Sequence, residues 1–188
     1  NDTHEVDYSQ SPERLHDDID ALAEVVEKAP SFQRFERLGL LSSRAYQASD
    51  EPLEQQRYLE QSREAYREAV ELYPMLPVLR LNYARLLSWS GSYDEAEEHF
   101  DYAVSVDLKR EFWSNAHWYY AEACFQRANE LWFARRSGEA LFYFMKSQEL
   151  LKNAKLSRFS SDMPQRIEGS VQLLKQAGFE PIEAKRSQ

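Results

Sequence analysis

Among 188 residues there is a single cysteine, Cys124, so no intramolecular disulfide can form. Only 5 Gly and 7 Pro are present, nearly all where a succession of helices needs punctuation. Long apolar runs are missing too. The longest, Ala140 to Met145, is far short of the roughly 20 residues that span a bilayer. Basic charge is scarce: 23 Lys and Arg stand against 32 Asp and Glu, a formal net charge of −9 with no basic stripe. Such a chain repels phosphate, which argues against nucleic acid as a partner. There is no phosphate loop, dinucleotide fingerprint or nucleophile elbow. No signal-peptide pattern is visible, and a start at Asn1 reads as a processed protein or an excised piece. The expectation is a soluble chain, cytoplasmic or the processed domain of an exported or anchored protein, with no membrane insertion of its own.

What the chain has is helical periodicity. Residues 1–10 are polar and aperiodic and read as a disordered lead-in. Ser11-Pro12 offers an N-cap followed by proline at the first helical position. Leu15, Ile19, Leu22 and Val26 then recur at helical spacing until Pro30. Ser31 can cap a second helix carrying Phe32, Phe35, Leu38, Leu41 and Ala45 on one face. Asp50 is the candidate cap for a long third helix, Leu53 to Tyr73, that buries Leu59, Ala65, Tyr66, Ala69 and Val70. Further helices are expected over Val78–Trp89, Tyr93–Val106 and Arg110–Arg135. Ser137-Gly138 is then the expected turn before a helix to Ala154. Residues 155–188 read as a loop, a capping helix opened by Asp162 and Pro164 and closed by Gly178, and a tail. The sum is an all-α chain of about eight helices in antiparallel hairpins, with an array over residues 11–154.

One segment carries a pattern more specific than amphipathicity. Between Pro77 and Leu108 stand Tyr83-Ala84, Leu87, Gly91, Tyr93, Asp94-Glu95-Ala96, Phe100, Ala103 and Asp107. Ala84, Ala96 and Ala103 are small where two antiparallel helices would approach closely, Gly91 relieves the turn, and Phe100 fills the space between hairpins. This segment resembles a tetratricopeptide (TPR) repeat, whose period is about 34 residues. Tyr66, Ala69 and Pro74 before it, and Glu139-Ala140, Phe144 and Ser147 after it, resemble parts of flanking repeats with stretched spacing. The resemblance implies a short right-handed solenoid of stacked hairpins and a binding role without catalysis. It also implies a concave groove lined by Val78, Leu81, Asn82, Arg85, Ser88 and Trp89. Asn82 and Arg85 would hold a peptide backbone or a carboxylate there, and Trp89 would stack on a side chain. Asn82 matches an asparagine of the family's carboxylate-clamp subgroup, but Glu36 stands where that subgroup has lysine. A chaperone tail is therefore not the expected ligand.

Aromatics crowd the next helices. Trp118, Phe125 and Trp132 recur every seventh residue, while Trp113, Tyr120, Cys124, Leu131 and Ala134 populate another face. A helix apolar on two faces packs between neighbours, so core is the favoured role. The alternative extends the groove beside Trp89 through Trp118, Tyr119, Glu122 and Phe125. An exposed stripe would instead mark an interface or a homodimer.

Chemistry is thinly represented. His4, His16, His99 and His117 are scattered outside any metal-ligand motif, and Glu95 and His99 one turn apart read as local electrostatics. Cys124 sits among apolar neighbours and reads as an inert core thiol. The acidic start, with Asp2, Glu5, Asp7, Glu13, Asp17, Asp18, Asp20, Glu24 and Glu27, reads as a solvated face, with docking to a basic partner as the sharper alternative. No cofactor or metal is expected. The leading functional expectation is a protein-interaction scaffold holding a peptide or partner protein, within a larger assembly. A small acidic chaperone for an exported client is the second.

Overall fold

The computed structural model describes residues 12–106, 111–154 and 162–183, and every regular element among them is an α-helix. In chain order these are α1 (Pro12–Lys28), α2 (Phe32–Ala48), α3 (Pro52–Leu72), α4 (Pro77–Trp89), α5 (Tyr93–Ser105), α6 (Glu111–Phe133), α7 (Ser137–Leu151) and α8 (Met163–Gln176). α1 packs on α2 and α2 on α3, and further along the chain α5 packs on α6, α6 on α7 and α7 on α8. Among the described residues no helix is long and apolar enough to cross a membrane. The expected lead-in over residues 1–10 and the loop over 155–161 lie outside the described residues. Contacts divide the chain after Leu79, inside α4, into two compact units.

The first unit rests on α2 packed between α1 and α3. Ser31 is the N-cap of α2 and accepts a hydrogen bond from the Arg34 amide at 3.4 Å. Asp50, expected to cap α3, does not: the N-cap is Glu51, without a side-chain bond, and Pro52 opens the helix. Proline at the first helical position has no N–H to satisfy and a φ already suited to the helix, which favours the start at Pro52. Ile19 and Val26 of α1 meet Leu38, Leu41 and Ala45 of α2 and Tyr58 and Ala65 of α3 in one core. The α2–α3 contact is close because Gly39 has no side chain. A Cβ there would fall 2.6 Å from the Tyr66 ring, and Ser62 donates to the Gly39 carbonyl at 2.6 Å.

The second unit begins in α4. Gly91, with φ of 78°, turns the chain left-handed after α4, and the Ser92 amide reaches back to the Leu87 carbonyl at 2.8 Å. Ala84, Ala96 and Ala103 are fully buried, and Phe100 stacks flat on Tyr120 of α6 with centroids 4.8 Å apart. The same device seen at Ser62 recurs here, where Ser147 of α7 donates to the Ala121 carbonyl of α6 at 2.6 Å. Such bonds bring a hydroxyl into a helix contact without leaving it unsatisfied.

The α6–α7 turn differs from expectation. It lies over residues 134–136, with Arg135 rather than a glycine at positive φ (63°), and α7 already begins at Ser137. Gly138 is inside the first turn of α7 for another reason. The segment after α8, released by Gly178 at φ of 82°, returns across it. The Ile182 amide donates to the Gly138 carbonyl at 3.0 Å, and a Cβ on Gly138 would fall 2.8 Å from the Ile182 side chain.

Candidate functional site

The helical repeat of α4 places Asn82, Arg85 and Trp89 on one side, three and four residues apart. On α6, Tyr119, Glu122 and Phe125 follow at spacings of three. The fold brings these two rows together. The Arg85 guanidinium lies 3.9 Å from the centroid of the Tyr119 ring and 5.2 Å from that of Trp89. Glu122 is half-buried beside them. Burial pushes its carboxyl above the ordinary range, and Arg85 partly offsets that rise. Phe125 packs on Phe144 of α7, with centroids 5.9 Å apart, and is covered from α8 by Arg166 at 5.1 Å from its ring. A continuous surface therefore runs from α4 over α6 to α8.

Not every expected residue contributes. Leu81, Ser88 and Trp118 are 3%, 4% and 5% exposed and belong to the packing between helices. Ser88 turns its hydroxyl inward to the Arg85 carbonyl at 2.7 Å. Val78 and Asn82 are half-buried, and Val78 falls just before the division between units. The surface side chains are Asn82, Arg85, Trp89, Tyr119, Glu122 and Phe125, joined by Arg166. Sequence reasoning missed Arg166 because it stands in α8, outside the repeat pattern, where no spacing rule pointed to it.

Arg85 is singled out by its bonding. Among the described residues its side chain makes no hydrogen bond or ion pair, and its Nε is buried without a partner. The other arginines around α6 are engaged. Arg127 holds Asp94 at 2.8 Å, Arg136 forks onto Glu139 at 2.6 and 2.5 Å, and Arg166 approaches Asp162 at 4.0 Å.

No protein-family model matches the chain, and no curated protein matches it either. The likeness to tetratricopeptide repeats therefore rests on the residues of 77–108 themselves.

The remaining candidates for chemistry are spoken for by packing. Burial pushes the Cys124 thiol up to about 12, which leaves it protonated. Glu95 accepts a hydrogen bond from Tyr83 at 3.0 Å, and His99 meets that same ring edge-on at 4.9 Å, its basicity lowered by burial and by Arg80. Among the described residues no three acids, histidines or cysteines are placed to hold a metal. The aromatic block divides. Tyr120, Tyr143 and Phe144 are core, and Trp132 leans edge-on against Phe144 at 5.8 Å, whereas Phe133 is 86% exposed. The side chain of Trp113 lies outside the described residues. A polar cleft of about 310 Å³ opens at the helix ends beside Tyr93, Asp94, Arg127, Glu130 and Arg136. Arg127 pairs with Asp94 there and the Tyr93 hydroxyl donates to Glu130 at 2.6 Å, while Nη1 of Arg127 is buried without a partner.

Proposed function

We propose that this chain is a non-catalytic interaction module of the tetratricopeptide type, which holds a peptide or a segment of a partner protein on the surface formed by α4, α6 and α8. The observation that carries this reading is the cluster of Arg85, Trp89, Tyr119 and Glu122. It combines a guanidinium with unused donors, two rings with polar handles, and a half-buried carboxylate. Trp, Tyr and Arg are the side chains that dominate binding energy at protein interfaces. The helices on either side fix these groups, so a partner segment meets them with little ordering cost.

The test compares three proteins as bait in affinity capture from the native source: the wild type, a surface variant with Trp89→Ala and Tyr119→Ala, and a control with Phe133→Ser. A defined partner should be retained by the wild type and the control and lost from the surface variant, with helix content unchanged in all three. Equal capture by all three would remove the reading. Suppression of a captured client's aggregation would assign the chaperone role, and binding of a folded partner without that effect would assign the scaffold role.

A further inference from the structure

The polar cleft at the C-terminal end of α6 shares no residue with the α4–α6–α8 surface. Its volume of about 310 Å³ stands at the lower edge of small-ligand sites, which span roughly 300–1,000 Å³. The charged side chains that line it are Asp94, Arg127, Glu130 and Arg136. Both arginines are engaged. Arg127 holds Asp94 through Nη2 at 2.8 Å and has its Nη1 sealed from solvent, while Arg136 sets Nε and Nη2 on Glu139. Glu130 differs. It is exposed, and among the described residues the only partner of its side chain is the neutral Tyr93 hydroxyl, which donates to Oε1 at 2.6 Å. The cleft therefore keeps a negative charge that no cation of the chain offsets.

Three observations select the ligand. The chain's net charge of −9 draws cations and repels anions. Tyr93 occupies one oxygen of the Glu130 carboxylate and leaves the other open. A guanidinium fork, which fits a carboxylate through both oxygens, is thereby at a disadvantage against an ammonium, which bonds as a point charge. Leu131 and Ala134 give the cleft an apolar wall along which a methylene stem can lie. We propose that this cleft binds a primary alkylammonium group, carried by a lysine side chain of a partner or by a free aliphatic amine. Glu130 is its counter-ion, Tyr93 holds the carboxylate in place, and Leu131 and Ala134 flank the stem.

The experiment follows backbone amide NMR shifts of the whole chain during titration with pentylamine, Nα-acetyl-lysine methylamide, pentylguanidine and, as the uncharged control, pentanol. Expected is saturable binding of the first two, with shifts centred on Tyr93, Leu131 and Ala134. Pentylguanidine should bind more weakly and pentanol not at all. Glu130→Gln keeps an acceptor for Tyr93 but removes the charge. It should weaken both amines about ten-fold or more, the range of a hydrogen bond to a charged group. Added salt should weaken the wild type in the same direction. Ala134→Leu, at an exposed position, should block the wall without touching the charge, and it keeps the test decisive if Glu130→Gln disturbs the fold seen by circular dichroism. Tighter binding of the lysine derivative than of pentylamine assigns the site to a partner's side chain, and the reverse order assigns it to a free amine. Absence of saturable shifts, pentanol binding as well as pentylamine, or amine binding unchanged in both variants would overturn the site. Pentylguanidine binding as tightly as pentylamine would overturn the choice of ammonium.

Discussion

Glu97 shows what a single buried charge demands of its surroundings. Its side chain is 8% exposed, and it is paired with Lys146 of α7 while accepting a hydrogen bond from Tyr120 at 3.2 Å. The lysine ammonium also lies 4.8 Å from the Tyr120 ring centroid. Each group compensates the desolvation of the next, so removing one strands the others. Lys146→Met should lower stability by roughly 2–4 kcal/mol, slightly under the cost of breaking a fully buried pair because Lys146 keeps some solvent. The double variant Glu97→Met with Lys146→Met should recover most of that loss, since no carboxylate is then left unpaired. Urea unfolding of the singles and the double checks both statements, and a harmless Lys146→Met would mean that water already solvates Glu97. Sequence offered no sign of this network. Glu97, Tyr120 and Lys146 stand on three helices, and a spacing rule sees one helix at a time.

At the scale of the element, glycine separates close packing from simple tolerance. Gly39 lies in α2 against the face of Tyr66, where a Cβ would sit 2.6 Å from a ring atom. Gly169 lies in α8 with nothing within 4 Å of an added Cβ. Gly39→Ala should therefore destabilise by about 1–3 kcal/mol through overpacking, despite its better helix propensity. Gly169→Ala should stabilise by about 0.5–1 kcal/mol, because only the backbone entropy changes. Thermal melts of the two variants should move in opposite directions, and movement in the same direction would refute the close α2–α3 contact. Most helices were legible from apolar spacing and from Pro and Gly punctuation. The grouping of Arg85 and Trp89 with Tyr119 and Glu122 stood in the sequence only as the alternative to a core role for the aromatic block, and it is the Arg85–Tyr119 contact that brings the two rows together. The errors came where a long-range contact overrode a local rule. Gly138 was read as a turn residue, and its actual constraint is the chain crossing it at Ile182, more than forty positions away. Leu81 and Ser88 read as groove residues and are buried, whereas Trp118 is buried as its favoured core role requires; helical spacing alone cannot tell a face turned to solvent from one turned to a neighbouring helix.

For the molecule as a whole, the division after Leu79 bears on how the chain unfolds. Each unit has its own buried side chains. The first is built on Ile19, Leu41, Tyr58 and Tyr66, and the second on the larger aromatic set of Phe100, Tyr120, Tyr143 and Phe144. Arrays of helical hairpins gain stability from each unit and its nearest neighbour, so they depart from all-or-none unfolding when units differ in strength. The sequence supplies a selective probe. All four tryptophans, Trp89, Trp113, Trp118 and Trp132, lie beyond Leu79, so their emission reports the second unit, while far-UV circular dichroism reports every helix. The second unit buries more aromatic surface and adds the Glu97–Lys146 pair, and should therefore outlast the first. In urea, circular dichroism should begin to fall before tryptophan emission changes. Gly39→Ala should move that early phase to lower urea and leave the tryptophan transition where it is. Coincident curves, or a tryptophan transition that follows Gly39→Ala by the same amount, would mean that the two units unfold as one.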